Sequence, residues 1–330
     1  MDQEIRSRIT HIKAHLSEDA QLKTHGQPLA PLFKELDAFL TNDDNRTWSK
    51  LADDVTTHLS ALSDKIRNRI HNIVMVEVLT HRRQACEQHE ALIAAYKHAG
   101  LKVTRLPDHP GSDAVFATDT GEQVHDFFLL GNLKNPRRHG EERCTLELLK
   151  KRKISVKCIP GLIIEGGDLI YSTFYKVLFV GEGFRNTDHP AKKIAAEFPH
   201  TRVIPVGLTK AEHYHLDCCF MVLSGGEILV YEDAITPSAF DEISQLTQDH
   251  RAPSPFALSQ SEALNFGSNL VCVDQHIFHA TGSLSESTLQ QLKTWGYSCH
   301  AIDYDALHRS GGSIRCSTLA IRPSVGEHTQ

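Results

Sequence analysis

The sequence predicts an α/β fold made of repeated units closed into a ring, preceded by a helical N-terminal extension. Three observations support this. From residue 72 onward, short apolar strands alternate with amphipathic helices. The order strand, strand, helix, strand recurs, and residues 72–322 divide into five units of about 50 residues each. Each unit has an apolar face that needs neighbours, and five units in a ring cover every face and leave no long sheet edge.

Residues 1–71 read as polar and helical. Leu36, Phe39 and Leu40 fall at i, i+3 and i+4. Leu51, Val55, Leu59 and Leu62 recur at spacings of four, four and three, the helical period. Thr47 is a weak cap, because Lys50 stands where a capping box needs Glu. This segment shows no evident chemistry. It is expected to pack as an appendage, domain 1–71, on a catalytic domain spanning 72–330. A lid or a partner-binding arm is the alternative.

From 72 the elements follow in order. NIVMVEV (72–78) is strand-like, 83–98 is helix-like and stops at Gly100, and LKVTRLP (101–107) is strand-like up to its proline. Strands are expected at 114–120, 127–130 and 154–160, around a helix near 139–152. The next unit has strands at 162–172, 176–183 and 202–208 around a helix near 188–198. Strands at 214–224 and 227–233 precede a helix near 237–249. Strands at 269–275, 276–280 and 297–303 surround a helix near 285–295, and SIRCSTLAI (313–321) reads as the last strand.

The 330 residues carry a net charge of −6, from 35 basic and 41 acidic side chains. A nucleic-acid binder resting on bulk positive charge is therefore not expected. The run LKKRK (149–153) reads as a solvated helix end. The first residues have no apolar core of a secretory signal, and no run approaches the length of a membrane span. Eight cysteines without small-scaffold spacing suit a reducing cytoplasm better than a disulfide framework.

Polar residues inside the apolar strands keep the repeat period. Phe116 and Glu165 are 49 positions apart, as are Asp119 and Asp168. His215 follows Glu165 by 50 and Asp217 follows Asp168 by 49. Asn269 follows Asp217 by 52, and Cys316 follows Asn269 by 47. Equivalent positions in a ring face its axis, so Asp119, Glu165, His215, Asp217 and Cys316 are expected to converge.

A cysteine beside a histidine makes a nucleophile and base, since the thiolate is the reactive form. Several carboxylates would repel a developing oxyanion, but they suit a cation. The planar guanidinium, whose N–H forks pair with carboxylates, is the matching group. Attack on its central carbon needs oriented acids, a strong nucleophile and a proton donor for the leaving nitrogen.

GLIIEGGDLIYS, HYHLDCCF and GGSIRCSTLAI, with DAVFATDT as a fourth segment, resemble the signature segments of the guanidine-modifying (pentein) superfamily. That superfamily includes arginine deiminase, dimethylarginine dimethylaminohydrolase, agmatine deiminase and the amidinotransferases. The resemblance covers roughly 72–322 and implies a five-bladed, pseudo-fivefold α/β propeller. It implies Cys316 as nucleophile through a covalent amidino intermediate, His215 as acid and then base, and Glu165 as guanidinium holder and proton relay. It implies Asp119 and Asp217 as clamps on the guanidinium nitrogens and Phe116 against the guanidinium plane. Asp168 is either a further contact or a structural brace of the turn after Gly166 and Gly167. Arg137 or Arg138, and Arg185, stand where relatives bind the substrate α-carboxylate.

The reaction expected is hydrolysis of arginine to citrulline and ammonia, with methylated arginine as second choice. Asp217 in HLD favours an unmethylated guanidinium, which dimethylarginine enzymes often hold without an aspartate there. The segment HLDCCF also resembles the arginine dihydrolase branch, which makes ornithine. That branch has asparagine at the position of Asp119, so the aspartate favours stopping at citrulline. Amidino transfer to an amine is the enzymatic rival. A non-catalytic propeller that binds partners predicts a missing cysteine or histidine, and both are present. No cofactor and no metal are expected: adjacent Cys218 and Cys219, near His213 and His215, lack zinc-site spacing. Gly225-Gly226 and Gly311-Gly312 read as turns, and the second pair lets a loop approach the substrate. The partner is a small guanidino molecule, with no nucleic acid and no membrane. The N-terminal helices are the expected surface for a homo-oligomer or a protein partner.

Overall fold

The structure is a computed structural model that describes residues 83–107 and 113–322. The expected extension, 1–71, and the expected strand 72–78 lie outside the described residues. Among those described, no helix is long and apolar enough to cross a membrane. The described residues fall into two units, 83–90 with 304–311, and 91–303 with 312–322.

The larger unit is α/β. It contains four three-stranded sheets, each built the same way. The first comprises β1 (Gly121–Val124), β2 (Phe127–Leu130) and β3 (Ser155–Lys157), and the second β4 (Leu169–Ser172), β5 (Val177–Glu182) and β6 (Arg202–Gly207). The third comprises β7 (Phe220–Val222), β8 (Ile228–Val230) and β9 (Phe256–Ala257), and the fourth β10 (Val271–Val273), β11 (His276–Ala280) and β12 (Ser298–Ile302). In each, the first two strands form an antiparallel hairpin and the third pairs parallel to the second. A parallel return needs a crossover, and a helix supplies it. Helix α1 (83–98) begins the described chain. The crossovers contain α2 (Glu142–Lys151), α3 (Pro190–Glu197), α4 (Pro237–Asp249) with the short α5 (Gln260–Leu264), and α6 (Glu286–Thr294).

Sequence dictates these helices locally. α3 and α4 start with proline in the first turn, where its missing N–H costs nothing. α4 buries Ala239, Ile243, Leu246 and Thr247, spaced i, i+4, i+7 and i+8, one face of a 3.6-residue helix. α2 ends with Lys150 and Lys151, favourable against the carbonyl end of the helix dipole, and of LKKRK the four basic residues are exposed while Leu149 is buried. The middle strands bear most of the core: Val177, Leu178, Phe179 and Val180 of β5 and Ile228, Leu229 and Val230 of β8 have no exposed surface. Strands buried on both faces read as continuous apolar runs.

Three expectations need correction. The strands expected at 114–120, 162–172 and 214–224 each contain a short 3-10 turn: Ala117–Thr120, Gly166–Asp168 and Leu216–Cys218. Residues 101–107 form no strand, and neither does 313–321. The last segment turns instead. Ser317 Oγ donates to Ser313 O (3.0 Å) and Thr318 Oγ1 to Ile314 O (2.8 Å), local bonds that compete with a strand ladder. Among the described residues there are thus four sheets, where five were expected.

The fifth station is nonetheless linked to the others. The three turns stand side by side, and β4 neighbours both β1 and β7. Asn132 and Ile164 exchange backbone hydrogen bonds (2.8 and 3.2 Å) between the first and second repeats. Asp168 Oδ1 accepts the Leu216 N–H (3.0 Å), joining second to third. Ser268 Oγ donates to Asp217 O (3.0 Å), joining third to fourth. The Cys316 N–H donates to Asn269 Oδ1 (3.1 Å), and the Thr118 N–H donates to Cys316 O (3.0 Å), which returns to the first. The hydrogen bonds therefore close a circuit through five stations.

In the smaller unit, Asp305 begins α7 (Asp305–His308) and accepts from Gln84 and Gln88, while Arg309 pairs with Asp305 at 2.8 Å and donates to Gln84.

Candidate active site

The residues just before the three turns are Phe116, Glu165 and His215, all buried, and the last two meet. The EGGD segment needs its glycines for close approach. A Cβ on Gly166 would overlap the Thr118 carbonyl, and one on Gly167 would overlap the His215 ring.

Glu165 and His215 form the centre. His215 Nε2 donates to Glu165 Oε2 at 2.8 Å, and Glu165 Oε1 accepts the Lys134 N–H at 2.9 Å. His215 Nδ1 lies 3.7 Å from Asp119 Oδ1. Burial disfavours the charge on both partners, but neighbours outweigh it. Asp119, Asp168 and Glu165 raise His215 to about 9. The hydrogen bond and charge of His215, then Arg185 and the Lys134 N–H, hold Glu165 down at about 2. At neutral pH the site holds a carboxylate and an imidazolium.

Cys316 is buried as well. Its thiol lies 3.7 Å from Asp217 Oδ2 and accepts from Asn269 Nδ2 at 3.1 Å. Burial, then the charges of Asp217 and Asp119, push its pKa well up, against the hydrogen bonds from Ser313 and Asn269. The resting group is a thiol, and it needs a cation nearby to ionise. All eight cysteines are free thiols.

The other expected residues are placed as follows. Asp119 binds Arg138 Nη1 through Oδ2 (2.7 Å), while its buried Oδ1 has no hydrogen-bond partner. Arg138 is therefore an interior counter-ion: it also pairs with Glu141 (2.9 Å) and donates to Asp113 O (3.3 Å). The side chain of Arg137 lies outside the described set. Arg185 is partly exposed, with Nη1 3.9 Å from Glu165 and its guanidinium over the Tyr214 ring at 4.9 Å. Phe116 packs against Gly312, in the loop before Cys316. Asp168 braces two turns: Oδ1 accepts from Leu216 N and Oδ2 from Asn186 Nδ2 (2.9 Å). Burial, chiefly, raises its pKa to about 7. Asp217 is not a vacant clamp, because Arg315 Nη1 holds its Oδ2 at 2.7 Å.

Sequence reasoning passed over Arg315, Tyr214 and Asn269 as site residues. Arg315 directly precedes Cys316, Tyr214 precedes His215, and Asn269 keeps the repeat spacing. Those were the available signals. Asp119, Glu165 and His215 each offer a ligand atom, all within 4.8 Å of one another, but the His215 Nε2 to Glu165 bond already uses two of these groups. An acid cluster with one unfilled acceptor suits a planar N–H donor cation.

Comparisons with known proteins bear on the family of the chain. The chain is 28% identical over 243 residues to "Uncharacterized protein YkgA" of Bacillus subtilis (strain 168), covering 73% of this chain and 81% of that one. It is 26% identical over 241 residues to N(G),N(G)-dimethylarginine dimethylaminohydrolase of Mycobacterium tuberculosis, covering 72% and 75%. Its structure resembles the N-terminal domain of ArgZ bound to product, an arginine dihydrolase of cyanobacteria. That match has a TM-score of 0.65 at 25% identity and covers 72% of this chain and 85% of that one. Residues 47–322 match the family model described as "N,N dimethylarginine dimethylhydrolase, eukaryotic". The chain belongs to this family, within the pentein superfamily of guanidino-modifying proteins.

Proposed function

We propose that the protein is a cysteine-dependent hydrolase that cleaves a C–N bond of a guanidino compound, arginine or a methylated arginine, to give citrulline and ammonia or an amine. One observation supports this above the others: a buried carboxylate oxygen, Asp119 Oδ1, has no hydrogen-bond partner beside the His215–Glu165 pair. A buried acceptor left empty is costly, and a guanidinium N–H would fill it.

In this reading the bound cation offsets the charges that oppose ionisation of Cys316, whose proton is lost to solvent as the substrate binds. The thiolate attacks the guanidinium carbon and forms a C–S bond. His215 passes its proton to the departing nitrogen as the C–N bond breaks, and Glu165 holds the imidazole in place. Neutral His215 then takes a proton from water. The resulting hydroxide attacks the same carbon, the C–S bond breaks, and citrulline leaves. Arg185, partly exposed and 3.9 Å from Glu165, is the proposed contact for the substrate carboxylate.

The Asp217–Arg315 pair changes the substrate reading. An Asp217 that clamped both edges of the guanidinium would disfavour methylated nitrogen. Arg315 occupies Asp217 Oδ2, whereas Asp119 keeps Oδ1 unpartnered beside the His215–Glu165 pair, so one edge of the guanidinium is left for alkyl groups. Methylated arginine thus stands level with arginine. The proposed setting is a reducing cytoplasm, which suits eight free thiols.

The test is a panel of arginine, Nω-methylarginine and Nω,Nω-dimethylarginine, each with and without glycine, analysed for citrulline, ornithine and guanidinoacetate. Citrulline formation that disappears in Cys316→Ser is the expected result. Guanidinoacetate would replace hydrolysis with amidino transfer, ornithine would replace it with dihydrolysis, and no turnover of any compound would overturn the enzyme reading.

A further inference from the structure

Two buried acids bear on the Cys316 sulfur, and each has a buried guanidinium of its own. Asp119 pairs with Arg138 and Asp217 with Arg315, both at 2.7 Å. The two pairs differ in what they leave open. Asp119 keeps one oxygen unpartnered. Asp217 has Oδ2 shared between Arg315 Nη1 and the Cys316 thiol, and Oδ1 3.7 Å from the Cys218 thiol.

Arg315 is held rigidly. Its Nη2 donates to Leu169 O at 2.9 Å and lies 3.5 Å from Glu122, which also pairs with Arg322 at 3.7 Å. Glu122 belongs to β1 and Leu169 to β4, so two neighbouring sheets fix a guanidinium supplied by the residue next to the thiol. Such anchoring exceeds what one surface ion pair would need. Arg315 also interacts electrostatically with Cys316 itself.

We propose that Arg315 is a positioning residue for the nucleophile: it pairs with Asp217, balances the carboxylate lying against the Cys316 sulfur, and so lets the thiol give up its proton. The proposal rests on Cys316 being the reactive group of the proposed function. The other groups facing this sulfur are Asp119, Tyr214 and Cys218, with Asn269 and Ser313 as hydrogen-bond donors, and Asp119 in turn lies 3.7 Å from His215 Nδ1. Among these, Arg315 is the cation fixed on Asp217.

The test follows alkylation of Cys316 by iodoacetamide against pH, read by mass of the Cys316 peptide. The thiolate forms the new C–S bond and iodide leaves, so the rate reports ionisation. Arg315→Met leaves Asp217 bare. Its midpoint is expected to rise by about one pH unit, so that labelling at a fixed lower pH slows by about tenfold. Arg315→Lys keeps the charge and is expected to stay near wild type. Asp217→Asn removes the opposing charge and should lower the midpoint. The double variant Arg315→Met/Asp217→Asn should return towards wild type. A purely structural role would leave the midpoint in place.

A folded Arg315→Met with an unmoved midpoint, or a double variant as high as the single, overturns the proposal. If Arg315→Met does not fold, the midpoint of Asp217→Asn decides: a fall supports the proposal and no change overturns it. Wild-type Cys316 that resists both iodoacetamide and chloroacetamidine at every pH overturns the functional reading first, and this one with it.

Discussion

Glu165→Gln is the most informative single change in the site. Glutamine keeps the size and removes the charge from the group bonded to His215 Nε2 at 2.8 Å. His215 stands at about 9 against an ordinary 6.5, which corresponds to about 3 kcal/mol in favour of the imidazolium. Three acids supply this against burial, and Glu165 is the one in direct hydrogen bond. Losing a charge-assisted bond of this kind costs about 1.5–3 kcal/mol, which would bring His215 down to about 7–8. A misplaced imidazole that is less fully protonated at neutral pH should cost about 100- to 10,000-fold in kcat. The stability difference between wild type and variant has a defined pH window. The imidazole contribution is full below about 6.5 and fades as pH rises through about 9; the Glu165 contribution is full above about 4.5 and fades as pH falls through about 2. The gap should therefore be widest between about pH 4.5 and 6.5. The assay is the NMR titration of His215, identified by difference against His215→Asn, with kcat measured across the same pH range. An imidazole that titrates unchanged in Glu165→Gln, or a kcat loss under about tenfold, would refute the reasoning.

Three further changes test the frame around the site. Gly167→Ala sets a methyl against the His215 ring and should lower kcat by more than about tenfold through the displaced imidazole, with a folded circular-dichroism spectrum. Glu262 accepts from Ser259 N and Oγ, Ser285 N and Oγ, and Thr288 Oγ1. Glu262→Gln should therefore cost about 2–4 kcal/mol in urea denaturation at pH 7. Its hydrogen bonds to Ser259 and Thr288 outweigh burial and hold its carboxyl at about 2, so the penalty should shrink as pH falls from about 4.5 through 2. Asn269→Ala removes a donor to the Cys316 sulfur and the acceptor of its backbone N–H, so both melting temperature and kcat should fall, whereas Cys316→Ser should abolish only turnover.

The periodic placement of Glu165, His215, Asp217 and Cys316 was legible because equivalent positions in a repeat face the same place. The helix near 237–249 was legible, since its apolar spacing and Pro237 are both local signals. β1 was not legible: GEQV carries two polar side chains, satisfied only from far along the chain, Glu122 by Arg315 and Arg322 and Gln123 by the Arg322 N–H at 2.7 Å. α5 could have been found, because Ser259 and Glu262 form a complete capping box. The three turns were hidden inside apparent strands: Leu216, Asp217 and Cys218 alternate in polarity as a strand would. Counter-ions were the least visible part of the site. Spacing brings acids together, but nothing in it says that Arg138 and Arg315 will neutralise two of them.

The closed run of hydrogen bonds passes through the main chain of Cys316, by its N–H to Asn269 and its carbonyl from Thr118. The sulfur is thus mounted on the clasp of the molecule. Capping that sulfur with a reagent leaves the clasp fastened, so an inactivated enzyme should melt no lower than the free one. Loosening the clasp, by contrast, takes the working thiol with it, and for this chain durability and turnover are expected to be lost together.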